Sequence, residues 1–235
     1  MIKPKTIVED RRDLTVLIGE LGLKRGAELG VETGAFSDYL LSNSNLEKLY
    51  SIDAWCEDET ATKAVFKRRA KNSINKHFEE AKEVLRKHGK RSEIIRATTF
   101  EAVNKFLDGS LDFIYIDASH RFSGVALDLM NWFPKLREGG VFAGHDYWDC
   151  YRCEVMEAVN GFFVENKIVL HLTTKGLNSS GKPFYPPTWW GIKDELTKEK
   201  YNELVKIASK EIFEQVKYHK DNNGICIIPP YQYEI

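Results

Sequence analysis

Arg25-Gly26-Ala27-Glu28-Leu29-Gly30-Val31-Glu32-Thr33-Gly34-Ala35-Phe36-Ser37 is the stretch from which the rest of the chain is read. Its first half has the character of a short buried strand, and its second half opens a helix. Two glycines four residues apart, Gly30 and Gly34, sit at the junction. A tight strand-to-helix turn needs residues that adopt unusual φ and let a ligand approach the backbone. The helix beyond offers unsatisfied N–H groups and the positive end of its dipole. A loop that cradles a pyrophosphate reads G-x-G-x-x-G. This one reads E-x-G-x-x-x-G, with Glu28 just before the first glycine. An acidic group at the strand tip disfavours a pyrophosphate and suits a cationic ligand. An ordinary turn with incidental glycines is the alternative, and the rest of the chain decides between them.

Upstream, residues 7–21 carry Leu14, Leu17, Ile18 and Leu21 at helical spacing, before a first strand over 26–30. Downstream, a helix from about residue 36 turns Tyr39, Leu40 and Leu41 toward a sheet. Lys48-Leu49-Tyr50-Ser51-Ile52-Asp53 reads as the second strand, its carboxylate 23 residues after Gly30. In doubly wound folds an acidic residue there accepts hydrogen bonds from ribose hydroxyls. An Asp capping the next turn is the alternative. Trp55 follows, placed either against an adenine or under a loop. Residues 59–88 form a long helical stretch with Phe66, Ala70, Ile74, Phe78, Ala81 and Leu85 on one face. Between Lys63 and Arg91 eleven Lys/Arg stand against three Glu, which reads as a solvated face. No interleaved aromatics are present to stack bases, so nucleic acid is not the expected partner.

The third strand spans 93–97, and Thr98-Thr99 offers an N-cap for the next helix. Leu111-Asp112-Phe113-Ile114-Tyr115-Ile116-Asp117 is almost wholly apolar until its last carboxylate, as a central parallel strand should be. Ala118-Ser119-His120 is its exit loop. A helix over 122–136 is expected to bury Phe122, Val125, Leu129, Met130 and Phe133, with Pro134 kinking or shortening it. Arg137-Glu138-Gly139-Gly140 reads as its stop, and a strand over 141–144 runs into His145-Asp146-Tyr147. Strand followed by helix, five times over, predicts a doubly wound α/β fold, a mostly parallel sheet with helices on both faces. Ligand then binds outside the carboxyl ends of the strands. Glu28, Asp53, Asp117, His120, His145 and Asp146 all fall at those ends.

After Asp146 the pattern changes. A helix over 153–165, a strand over 168–172, a Gly/Ser/Pro-rich loop over 176–187 and a strand over 188–193 suit a closing antiparallel hairpin, for about seven strands in all. A helix over 195–219 and an apolar run over 225–228 read as a cap, an edge strand or a homodimer contact. No repeat or linker divides the chain, so 1–235 reads as one domain with its core over about 22–193.

Composition narrows the class. A net charge of −1 with 29% charged residues recruits neither nucleic acid nor membrane globally. No run of 18 apolar residues appears, and Met1-Ile2-Lys3-Pro4-Lys5 lacks the apolar core of a signal peptide, so a soluble cytoplasmic protein is expected. Four cysteines are too few and scattered for a disulfide framework. Cys150-Tyr151-Arg152-Cys153 is a C-x-x-C without the second pair a zinc site needs.

On Glu28-Leu29-Gly30-Val31-Glu32-Thr33-Gly34 and Asp53-Ala54-Trp55, the chain resembles the class I S-adenosylmethionine-dependent methyltransferases. The resemblance covers roughly residues 22–147, with looser support to Lys193. It is nearest to small-molecule O-methyltransferases, of the catechol type and the bacterial sugar-hydroxyl type. It implies a cofactor with a sulfonium and an ammonium, which fits an acidic strand tip. It further implies cofactor contacts from Glu28, Gly30, Gly34, Asp53, Trp55, Thr98 and Asp117. Relatives of this type hold Mg²⁺ through the fourth-strand carboxylate and two residues after the fifth strand, here Asp117 and the His145-Asp146 pair. The catechol type has Asp-Asn where this chain has His-Asp. Mg²⁺ prefers oxygen, so the resemblance leaves Asp117 and Asp146 as metal ligands and frees His145 for another part. Sugar-modifying relatives often carry a His in the fourth-strand exit loop, which makes His120 the candidate base and His145 its competitor. The implied reaction is methyl transfer to an oxygen of a sugar or phenol. N-methylation and a non-catalytic nucleotide-binding protein are the alternatives. A nicotinamide enzyme is disfavoured by the lack of G-x-G-x-x-G.

Overall fold

In the computed structural model, residues 8–56, 71–148, 153–173 and 186–193 are described. The first part of the expected 59–88 helix, Cys150, most of the 176–187 loop, and the 195–219 and 225–228 segments lie outside them. β1 (Arg25–Leu29) runs parallel between β2 (Lys48–Asp53) and β4 (Leu111–Ile116). With β3 (Ser92–Arg96), β5 (Leu136–Gly144), β6 (His171–Leu172) and β7 (Trp189–Ile192), the order is β3-β2-β1-β4-β5-β7-β6. The first five strands are parallel, and β7 lies antiparallel to both β5 and β6. The chain walks outward from β1 to β3 and returns to β4 on the other side. The switch point, where an open sheet offers a crevice, therefore lies between β1 and β4.

Alternation along the strands assigns the two faces. Phe113 and Tyr115 of β4 join a core with Leu49, Leu14, Leu17 and Ile18 of α1 (Leu14–Glu20) and Phe36, Leu40 and Leu41 of α2 (Ala35–Asn43). Ile114 and Ile116 join the opposite core, together with Ala27, Leu29 and Ile52. Among the described residues that side is covered by α4 (Thr99–Ala102), α5 (Phe122–Trp132) and α6 (Val155–Glu165). α3 (Lys71–Arg86) packs Ala81 on Val31 and Trp55 and, through Leu85, joins the first core. Both faces are thus buried, as the nearly unbroken apolar run of β4 requires. Among the described residues no helix is long and apolar enough to cross a membrane.

The helix begun at Phe122 is shortened at Pro134, ending at Trp132 with a separate 3₁₀ turn over Phe133–Lys135. The structure revises two other local expectations. Met130 is 64% exposed and Phe122 is also exposed. Val125, Leu129 and Trp132 form the buried stripe, and Met130 falls about 100° round from Leu129. The presumed helix stop at 137–140 belongs to β5, whose pairing jumps from Leu136 to Val141 opposite Leu111 and Phe113. Gly139, at φ 76°, lies in that irregularity.

Gly30 marks the tightest approach in the switch-point region. It has φ 87°, and a Cβ built there would lie 2.0 Å from the Asp117 carbonyl oxygen and 2.8 Å from the Ala118 Cα. The Asp117 N–H donates to the Leu29 carbonyl at 2.7 Å, so the two backbones cannot separate without breaking the ladder. A neighbouring backbone therefore already demands this glycine, whatever a ligand asks of it. Gly30→Ala should lower the urea midpoint sharply, losing about 1–3 kcal/mol from strain alone and more from the clash. Gly22, at φ 63° with nothing within 4 Å of a built Cβ, supplies the control. Gly22→Ala should lose only the strain, about 1–2 kcal/mol. Equal losses in the two variants would mean that the β1–β4 approach relaxes freely.

Candidate active site

The loop after β1 is held from below. Asp53, at the tip of β2, accepts the N–H of Val31 at 2.9 Å and of Glu32 at 3.0 Å through Oδ2. Its Oδ1 accepts the Trp55 N–H at 2.7 Å. The Trp55 indole N–H donates to the Glu32 carbonyl at 2.8 Å, and its ring lies 4.9 Å from that of Phe78. Trp55 is 5% exposed and clusters with Val31 and Ala81. Of the two placements open to Trp55 in the sequence, the indole takes the one beneath the loop. Gly34, at φ 81°, is the N-cap of α2. Thr98 caps α4 in a capping box, with Glu101 accepting its N–H at 3.0 Å and its hydroxyl at 2.8 Å.

Glu28 differs from a free carboxylate at a strand tip. It is 2% exposed and hydrogen-bonded to the Ser37 hydroxyl, which accepts from Ser51 at 2.9 Å. Burial pushes its carboxyl up to about 8, against the opposing effect of Ser37. Near neutrality Glu28 is mostly a neutral acid joining β1 to α2.

Ionised chemistry collects instead where β4 and β5 end. Asp146, at φ 53°, occupies the left-handed region that non-glycine residues seldom adopt. Its carboxylate lies between two imidazoles, with Oδ2 at 2.5 Å from His120 Nε2 and Oδ1 at 3.1 Å from His145 Nδ1. Burial raises the Asp146 pKa, but the bonds from His120 and His145 outweigh it and hold the group well below the usual carboxylate range. The Asp146 bond in turn raises the pKa of His120. Asp117, a turn away, has its carboxyl raised foremost by burial. Its Oδ1 lies 4.0 Å from His120 Nε2.

Packing fixes these loops. The His120 carbonyl accepts the Glu154 N–H at 2.8 Å, and the Glu154 carboxylate accepts the Phe122 N–H at 2.8 Å. The His145 N–H donates to the Ile116 carbonyl at 3.0 Å, and its own carbonyl accepts the Trp189 indole N–H at 3.1 Å. Cys153, from the C-x-x-C, donates its thiol to the Asp146 carbonyl at 3.4 Å.

Asp117, His120 and Asp146 each present one ligand atom, all within 4.8 Å of one another. Two carboxylates fit Mg²⁺, which commonly binds through one or two of them and keeps waters. The imidazole suits zinc or iron better. The sequence reading missed Arg11, whose guanidinium Nη1 lies 3.8 Å from Asp117 Oδ2. About a hundred residues separate the two, and no local pattern announces the contact.

Residues 25–147 match the protein family described as a methyltransferase domain. The chain belongs to that family. A curated relative, the uncharacterized protein y4gI of Sinorhizobium fredii, is 25% identical over 134 residues, which is 55% of this chain and 14% of the relative. The chain thus spans a small part of that protein's length. In fold it is similar to an O-methyltransferase from Bacillus cereus in complex with SAH, at TM-score 0.55 and 15% identity over 81% of this chain and 84% of that one. TomG from Streptomyces achromogenes, an O-methyltransferase of tomaymycin synthesis in complex with SAM, gives 0.55 and 13% over 78% of each chain. An rRNA methylase from Streptococcus thermophilus gives 0.51 and 14% over 74% and 88%. At such identities the likeness establishes the Rossmann-like fold.

The state of Glu28 leads to a stability prediction. Its folded pKa, about 8, lies above the ordinary 4.5, so the native state holds a proton that the unfolded chain releases between those values. Stability from this group is full below about pH 4.5 and is lost as pH rises through about 8. Urea midpoints of the wild type should fall across that window, and Glu28→Gln should remove that component of the fall. The same slope in both proteins would show that Glu28 is ionised when buried.

Proposed function

We propose that the chain transfers a methyl group from S-adenosylmethionine to a hydroxyl oxygen of a small-molecule acceptor. The observation that carries this is the 2.5 Å contact between His120 Nε2 and Asp146 Oδ2, at the carboxyl edge of a methyltransferase-family sheet. The sulfonium already makes the methyl electrophilic, so the protein's tasks are in-line positioning and proton removal. Asp146 holds Nε2–H, which leaves Nδ1 of His120 to take the hydroxyl proton. The new O–CH₃ bond forms as the S–CH₃ bond breaks, and the electron pair stays on sulfur as the thioether of S-adenosylhomocysteine. His145, on the other oxygen of Asp146, orients that carboxylate. Asp53 spends three of its roughly four acceptor positions on the loop and keeps one for a ribose hydroxyl. Glu28, Gly30 and Gly34 shape the loop, and Thr98 marks the edge at the adenine end.

A divalent cation is the second reading, supported by the spacing of Asp117, His120 and Asp146. Asp117 and Asp146 would hold it. Bound there, such an ion would acidify the acceptor hydroxyl.

Calorimetry is expected to show binding of S-adenosylhomocysteine and none of NAD. Asp53→Ala should weaken the former by about 1.5–3 kcal/mol for a charge-assisted bond, with any loosening of the loop added. Repeating the titration with Mg²⁺ and with a chelator separates the two readings, since coupled binding requires the metal. Tight NAD binding without response to S-adenosylhomocysteine would end the cofactor assignment.

The base is tested by pH. Asp146 stabilises protonated His120, so the rate should climb with pH through a midpoint above 6.5. His120→Gln should lose that limb and about 10²–10⁴-fold in rate at saturating cofactor. A rate within about threefold of wild type would remove His120 as the base.

A further inference from the structure

We propose that Arg11 recognises the carboxylate at the amino-acid end of the methyl donor, with Asp117 taking the ammonium beside it. This rests on the cofactor reading above and extends it to a residue outside the 25–147 family match. An α-amino acid carries opposite charges on groups attached to one carbon. Arg11 and Asp117 offer the complementary pair side by side, 3.8 Å apart. That distance is too long for a hydrogen bond, so the contact does not consume a guanidinium donor. Asp117 presents its other oxygen to His120, at 4.0 Å.

The placement of Arg11 is built rather than incidental. It opens a 3₁₀ turn that is closed by a capping box, in which Asp13 accepts the Asp10 N–H at 2.8 Å and Asp10 accepts the Arg12 N–H at 3.0 Å. Its guanidinium carbon lies 4.9 Å over the ring of Phe36, the second residue of α2. Cation–π contact there restrains the side chain without using its N–H groups. The buried phenol of Tyr115 on β4 feels its charge and engages one of its N–H groups, which leaves most of the five for a ligand. The side chain nevertheless remains 40% exposed, with donors left to face a ligand.

Charge balance points the same way. Asp53, Asp117 and Asp146 make this edge acidic, which suits a sulfonium and an ammonium but repels a carboxylate. A second guanidinium at the carboxyl ends of the strands is already hydrogen-bonded. Arg96, at the end of β3, donates to the Trp55 carbonyl at 3.2 Å and to the Asn75 side chain at 3.1 Å. Arg11 supplies the positive charge that a carboxylate needs.

The experiment compares two probes on the full chain by calorimetry. One is S-adenosylhomocysteine, and the other is 5′-(3-aminopropylthio)-5′-deoxyadenosine, its decarboxylated counterpart. Wild type should prefer the former by about 10- to 100-fold, the range of one charge-assisted pair. Arg11→Met keeps an apolar stem on Phe36 and should abolish that preference, leaving the decarboxylated probe bound within about twofold of wild type. Arg11→Lys, a point charge without the planar fork, should restore part of it. Equal loss on both probes would make Arg11 structural and overturn the inference, as would an unchanged preference in Arg11→Met. If wild type binds neither probe, the cofactor reading itself fails, and this inference fails with it.

Discussion

The close approach of Gly30 to the Asp117 carbonyl organises this protein. It brings the tip of β1 and the exit of β4 into backbone contact at the point where the strand order reverses. Nothing larger than a hydrogen fits on Gly30, so the two loops leave the sheet in fixed, diverging directions. One becomes the start of α2, and the other carries Asp117 and His120. The floor between them is the crevice that a doubly wound sheet offers at its switch point.

Desolvation and pairing divide the acidic groups of that edge into different chemical states. Glu28 is buried among hydroxyls, which cannot compensate a full charge, so it keeps its proton. Asp146 is also partly buried, yet two imidazoles face it and it stays ionised. Asp53 accepts three backbone N–H groups, which bind it to its own loop. Carboxylates that look alike in the sequence therefore serve as a neutral strut, an anchor for imidazoles and a loop clamp. The positive φ of Asp146 is the local cost of aiming one carboxylate at two rings, a strain that the surrounding β5–β7 contacts hold in place.

Much of the fold was legible in the chain because its signals are local. The E-x-G-x-x-x-G turn, the apolar run of β4 and the carboxylates ending β2 and β4 determined a parallel sheet and which edge gathers its polar groups, since strand burial and turn geometry depend on neighbours in sequence. The strand, Gly/Ser/Pro-rich loop and strand over 168–193 likewise marked the antiparallel close of the sheet. Only the tertiary structure decided what each polar side chain does there. Trp55 is under the loop because α3 brings Phe78 and Ala81 against it, and Glu28 is neutral because α2 and β2 bury it with Ser37 and Ser51. The His120–Asp146 pair and the Arg11–Asp117 pair join residues far apart in the chain, and no periodicity encodes such a distance. Sequence determines which groups reach the edge, whereas their charge and partners depend on desolvation and on contacts that exist only once the sheet has closed.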